Sequence, residues 1–271
     1  MQENIFENKT YYRTNTFKTD RPTLVFIHGV SGSSSAWLPY EKIFENTYNV
    51  LTYDIRGHGK SKKFRNYYDY EINNFVEDLH DLITHLNIKE FILISNSFGS
   101  LIAIEYIKSY RHELKAVVFT SPEVYLGTGL MGKILQTVFK IMISVINLFP
   151  FNPRPRGHVD YNKHLGSTDW DIKRNLADMI NTTPRVHFYT LRHSLPISPD
   201  YSLESINIPT LIIHGEKDTM VPLKNALLMK NQVKNSEFKS IANIDHNTVH
   251  NAVKEMSEAI ESFIQKHKDN F

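Results

Sequence analysis

The sequence predicts an α/β fold: a mainly parallel sheet flanked by helices and interrupted by a helical insertion. Three observations carry this. Short apolar runs that read as buried strands alternate with amphipathic helical stretches, the pattern of right-handed βαβ crossovers. The alternation stops between Pro122 and Pro209, where helical patterns and prolines 150, 153 and 155 replace strands. A length of 271 residues suits one large domain, or a core with an insertion, better than two equal domains.

Met1–Asp20 is polar and mixed in charge, without the apolar stretch of a secretion signal. Thr23–His28 is a continuous apolar run, as expected of a strand buried on both faces. A Gly/Ser-rich loop, Gly29–Ser35, leads towards a second strand at Val50–Asp54. Helical periodicity from Glu71 to Leu86 puts Phe75, Val76, Leu79, Leu82 and Ile83 on one face. Phe91–Ile94 is a strand, Leu101–Tyr110 a helix and Lys115–Phe119 a strand. Beyond the insertion come a strand at Thr210–Ile213, a helix near Leu223–Lys230, a strand near Glu237–Ile241 and an amphipathic helix at Val249–His267. The chain thus divides into a core of residues 1–122 and 210–271 and a helical cap of residues 123–209.

Leu130–Phe149, within the cap, is nearly all apolar, with a narrow stripe of Lys133, Thr137, Lys140, Ser144 and Asn147. It reads either as a helix buried between other elements or as a lid facing an apolar substrate or a membrane surface, with transient contact through this helix. Two lysines interrupt the run, so a stable membrane span is not expected.

Composition narrows the function. Lys+Arg 31 against Asp+Glu 29 leaves a net charge of +2, which predicts no broad attraction to nucleic acid or to an anionic membrane. With no cysteine, disulfides, thiolate nucleophiles, Fe–S clusters and Cys-based zinc sites are excluded. The missing cysteines and the lack of a signal segment together predict a cytoplasmic location.

One segment stands out chemically. Ser95-Asn-Ser97-Phe-Gly99 lies between a buried strand and a helix. A strand turning sharply into a helix presents its central side chain at the carboxyl edge of the sheet, and needs small residues two positions to either side. Ser97 holds the centre; Ser95 and Gly99 flank it. The following helix aims its N-terminus at any anion formed nearby. Ser95 is the alternative nucleophile, set back inside the strand end.

With this turn the chain resembles the α/β-hydrolase fold superfamily, in particular its capped serine esterase/lipase branch. The family's G-x-S-x-G is here S-N-S-F-G, with Ser95 in place of the first Gly. His28-Gly29-Val30 is similar to the family's oxyanion loop. The resemblance implies that the backbone N–H groups of Val30 and Phe98 hold the developing oxyanion, that Gly29 permits close approach, and that His28 serves loop geometry. Asp54-Ile-Arg-Gly-His58-Gly-Lys-Ser61 resembles the family's D-x-R-G-x-G-x-S segment, which implies an Asp–Arg pair in a tight loop.

A serine hydroxyl needs a base and a group that orients the base, found in the order Ser, acid, His. Gly215-Glu-Lys-Asp218-Thr-Met-Val221-Pro resembles the family's acid turn, which implies Asp218 as the acid and Val221 beside the substrate. Glu216 and Glu123 are alternative acids. His246, at the family's position before the last helix, is the implied base, with Asp245 where the family usually has Gly. His250 is the competing base or a residue lining the site. His246 and His250 also form H-x-x-x-H, but Asn247 stands where a zinc protease needs Glu, and no metal site is expected.

These readings predict cleavage of a small carboxylic ester with an apolar acyl group, through an acyl-enzyme and without a cofactor. Carbon–carbon bond hydrolases, thioesterases, aminopeptidases, acyltransferases and perhydrolases share the constellation. A ligand receptor with little turnover is the non-enzymatic alternative. Ser97 argues against the dehalogenase and epoxide-hydrolase relatives, which carry Asp at that position.

Overall fold

The computed structural model describes residues 1–124, 129–195 and 203–268. The chain opens with two strands, β1 (Gln2–Phe6) and β2 (Thr10–Thr14). Then come β3 (Thr23–Ile27), α1 (Leu38–Phe44), β4 (Asn49–Tyr53), α2 (Ile72–His85), β5 (Phe91–Asn96), α3 (Gly99–Tyr110) and β6 (Leu114–Thr120). Three longer helices follow, α4 (Gly129–Ile146), α5 (Ile172–Thr182) and α6 (Pro184–Ser194). The chain then returns through β7 (Thr210–Gly215), α7 (Leu223–Gln232), β8 (Ser236–Ile241), α8 (Thr248–Asn251) and α9 (Val253–Lys266).

The strands form one sheet in the order β1-β2-β4-β3-β5-β6-β7-β8. β1 and β2 pair antiparallel, as do β2 and β4; every other pairing is parallel. Alternation along each central strand explains the two faces. Val25, Ile27, Leu93, Val117 and Ile212 point to the side covered by α2, α3 and α7. Leu24, Phe26, Ile92, Val118 and Ile213 point to the side covered by α1 and α9. Strands buried on both faces have no polar stripe, which is why they read as unbroken apolar runs.

Four features depart from the sequence expectations. The N-terminal residues form the hairpin β1–β2, whose second strand is fully buried despite its polar sequence. α1 is an additional helix. The C-terminal helix is broken at Ala252, so α8 is a single turn. Arg56 does not pair with Asp54: its guanidinium donates to both carboxylate oxygens of Asp78 on α2, at 2.8 and 2.7 Å. Asp54 is fully buried, and four donors satisfy it: the Ser34 N–H and hydroxyl, the Lys60 N–H and His158.

Arg13 explains how β2 can be buried. Its Nη2 donates to Glu41 Oε1 on α1 at 2.6 Å and to the Ser34 carbonyl at 2.9 Å, and Thr52 of β4 also donates to Glu41. Removing one partner of such a buried pair leaves a charge without compensation. Glu41→Ala is expected to lower unfolding stability by about 3–5 kcal/mol in urea melts.

Candidate active site

The carboxyl ends of the parallel strands converge on one cavity of about 550 Å³. Ser97 follows β5 at φ 50°, in the left-handed region, and is 5% exposed. Its N–H is held by the Thr120 carbonyl at 2.9 Å, and α3 begins two residues later. Close approach explains the small neighbours. A Cβ on Gly99 would lie 2.9 Å from the His28 carbonyl oxygen, and one on Gly29 would lie 3.1 Å from Ser97 Cβ. Ser95 is wholly buried inside the strand, donating to the Val118 carbonyl, so of the two serines only Ser97 lines the cavity.

The β7 and β8 turns bring the other two predicted residues to Ser97. The Ser97 hydroxyl donates to His246 Nε2 at 2.9 Å, and His246 Nδ1–H donates to Asp218 Oδ2 at 2.7 Å. The other carboxylate oxygen of Asp218 accepts the N–H groups of Met220 and Val221, at 3.0 and 2.7 Å. Burial opposes a charge on His246. The Asp218 hydrogen bond and charge, with Asp169 and Glu123 nearby, outweigh it and hold the imidazole above its usual range.

The competing acids and the competing base stand apart. Glu216 lies on the outside and accepts from Ser240. Glu123 lines the cavity, and burial raises its carboxyl, but the hydrogen bond to His246 comes from Asp218. His250 stacks on Tyr161 with ring centroids 4.1 Å apart. Burial, with the Arg174 charge, pushes it down to about 3, so it is neutral and lines the cavity wall.

The N–H groups of Val30 and Phe98 have no internal acceptor among the described residues. His28 holds the loop that carries Val30: its Nδ1–H donates to the Gly29 carbonyl at 2.7 Å, and its Nε2 accepts the Ile55 N–H at 3.1 Å. Burial brings His28 down to about 4, consistent with this neutral tautomer. The helices between β6 and β7 touch the same loop. Thr182 donates to the Ser31 carbonyl at 2.8 Å, and the Ser31 hydroxyl bonds His187 of α6.

Asp169 carries a role that sequence reasoning missed. It lies in the segment between β6 and β7 and is 2% exposed. One carboxylate oxygen accepts the His246 N–H at 2.8 Å. The other accepts the Thr219 N–H at 2.9 Å and its hydroxyl at 2.7 Å. Its own N–H donates to Asp245 Oδ2 at 3.0 Å, a contact that the usual Gly at 245 could not make. One carboxylate therefore ties the loop carrying Asp218 to the loop carrying His246. No motif announces it, because every partner of the carboxylate lies at least 50 residues away.

The wall opposite Ser97 is mixed. Trp170, Ile172, Leu176 and Met220 line the cavity and remain substantially exposed. Deeper, Tyr161 donates to Asp178 at 3.0 Å, with Arg174 Nη1 at 3.3 Å. Burial pushes Asp178 up to about 6 against that guanidinium.

A sheet of this order, with serine, histidine and aspartate at its carboxyl edge, has the arrangement of a nucleophilic hydrolase. The profile described as alpha/beta hydrolase fold matches residues 22–252, and the chain belongs to that family. It is similar to a putative non-heme chloroperoxidase from Synechocystis sp., 28% identical over 82% of this chain and 84% of that protein. Among solved structures it is similar in fold to a thermophilic esterase from Thermogutta terrifontis, with TM-score 0.75, 16% identity, and 95% and 93% of the two chains covered. An epoxide hydrolase from Bacillus megaterium aligns with TM-score 0.74 and 19% identity, over 97% of this chain and all of that one.

The electrostatics predict a titration. The His246 ring, assigned by comparison with a His246→Gln variant, should titrate above pH 6.5 in imidazole NMR spectra. Asp218→Asn and Asp169→Asn should each lower that midpoint, the first more, because each removes a negative charge favouring the imidazolium.

Proposed function

We propose that this hydrolase-family protein cleaves carboxylic esters with an apolar acyl group through a serine acyl-enzyme. The observation that carries the reading is the unbroken Ser97–His246–Asp218 relay, opening into a cavity with Trp170, Ile172, Leu176 and Met220 on its rim. Ser97 Oγ attacks the carbonyl carbon as His246 Nε2 takes its proton. Asp218 keeps the His246 proton on Nδ1 and stabilises the imidazolium. The N–H groups of Val30 and Phe98 receive the oxyanion. The imidazolium then protonates the leaving alcohol, and a water deprotonated by His246 attacks the acyl-enzyme to release the acid. The ligands are supplied by the chain itself, so no cofactor enters the scheme. Gly29, Val221 and His250 shape the wall against the substrate, and the described residues of 123–209 act as its cap, with the lining drawn from Glu123 and residues 161–191.

A second reading has one observation in its favour. The curated relative given above is named a non-heme chloroperoxidase. The same acyl-enzyme attacked by hydrogen peroxide instead of water would release a peracid, so perhydrolysis uses the identical relay.

A fluorophosphonate probe should label wild-type protein on Ser97, read by peptide mass spectrometry, and should not label folded Ser97→Ala; an unlabelled wild type ends the serine-enzyme reading. On p-nitrophenyl esters, activity should rise from acetate to medium-chain acyl groups, and a steady fall from acetate would contradict the apolar pocket. Asp218→Asn should lower turnover by about 10⁴-fold. His246→Ala should abolish turnover, whereas His250→Ala should retain much of it. Because the base must be neutral and its pKa is raised, kcat/KM should fall on acidification with a midpoint above 6.5.

A further inference from the structure

We propose that the outer face of α4 docks on an anionic phospholipid surface. The helix has two sides of different fate. Its inner side meets α6, with Phe139 and Phe188 rings 5.7 Å apart. Its C-terminal end is fixed by Arg185 of α6, which donates to the Ile146 and Phe149 carbonyls at 3.1 and 2.7 Å. The outer side is uncovered: Leu130, Ile134, Val138, Ile141, Val145 and Leu148 are exposed, Ile141 by 59% and Leu148 by 83%. They recur every three or four residues and so form one stripe. The sequence reading of a helix buried all round therefore fails for this side.

Charge identifies the occupant. Between residues 124 and 159 there are four basic residues, Lys133, Lys140, Arg154 and Arg156, and no Asp or Glu. All four are exposed. The whole-chain charge of +2 conceals this local excess. The hydroxyls that follow each lysine by one turn ask little of water, since Thr137 donates to the Lys133 carbonyl and Ser144 to the Lys140 carbonyl, both at 3.0 Å. An apolar stripe with basic residues beside it, on a helix pinned from behind, matches a helix lying in the plane of a headgroup layer. No helix among the described residues is long and apolar enough to cross a membrane, so the contact is peripheral. A second copy of the chain fits less well, because each copy would bring Lys133 and Lys140 to the same interface. No described side chain of α4 lines the cavity at Ser97, so docking is separable from the proposed turnover.

The test is co-sedimentation with phosphatidylcholine vesicles, with and without phosphatidylglycerol. Wild-type protein should bind the vesicles containing phosphatidylglycerol and release as salt rises. Lys133→Gln and Lys140→Gln should each weaken partitioning roughly fivefold. Ile141→Glu combined with Leu148→Glu should abolish it, while fluorophosphonate labelling and the circular dichroism melt stay as in wild type. If the double variant misfolds, the lysine variants decide. Wild-type protein that stays in the supernatant at low salt, or binding that these variants leave unchanged, overturns the proposal. So does a concentration-dependent dimer in sizing runs that the variants dissolve, which would give the face to a second copy.

Discussion

Backbone crowding at the carboxyl edge of the sheet is the constraint on which the rest depends. Three turns leave little or no room for a side chain where they meet: Gly99 against His28, Gly29 against Ser97, and Gly215 against Asp245, whose carbonyl oxygen would lie 2.4 Å from a Cβ. Each contact sets a distance that chemistry then uses. The first seats the start of α3 on the end of β3. The second holds the His28–Val30 loop against Ser97. The third locks the turn carrying Asp218 to the loop carrying His246, and the buried Asp169 repeats that lock through hydrogen bonds. Side-chain identity matters only once these backbones are in place.

Burial alone does not decide which histidine is basic. His28 and His187 are both driven to about 4 by burial, and His250 to about 3. His246 is also largely enclosed, yet is held above its usual range because a buried carboxylate accepts its Nδ1–H. A shared apolar setting thus yields neutral spacers at several positions and a poised base at one. The difference is the hydrogen-bonded charge of Asp218, with smaller help from Asp169 and Glu123, rather than solvent access alone.

The parts of the fold legible in the sequence are those whose physics is local. β3 to β7 announce themselves because strands covered on both faces must be apolar throughout, and α2 because its stripe repeats at helical spacing. The nucleophile turn is legible because its steric demand falls within five consecutive residues. β2 was hidden because Thr10-Tyr-Tyr-Arg-Thr14 looks exposed until Glu41 arrives from another element to neutralise Arg13. The resemblance implies that Arg56 pairs with the nearby Asp54, whereas the partner it takes lies on α2. Asp169 had no signature because its partners come from two distant loops. Non-local polar pairing leaves no periodicity, and this separates what could be read from what could not.

The relay draws on residues 97, 218 and 246, each on a turn after a different strand of one sheet. If the proposed mechanism holds, the nucleophile is made long before the base during synthesis. At ordinary elongation rates the interval covers about 7–30 s of translation. Throughout it Ser97 is an ordinary alcohol, with no imidazole to take its proton. Reactivity is therefore switched on by the arrival of β8 and the loop behind it. A chain that stalls or misfolds before that point carries the nucleophile but cannot use it on its neighbours.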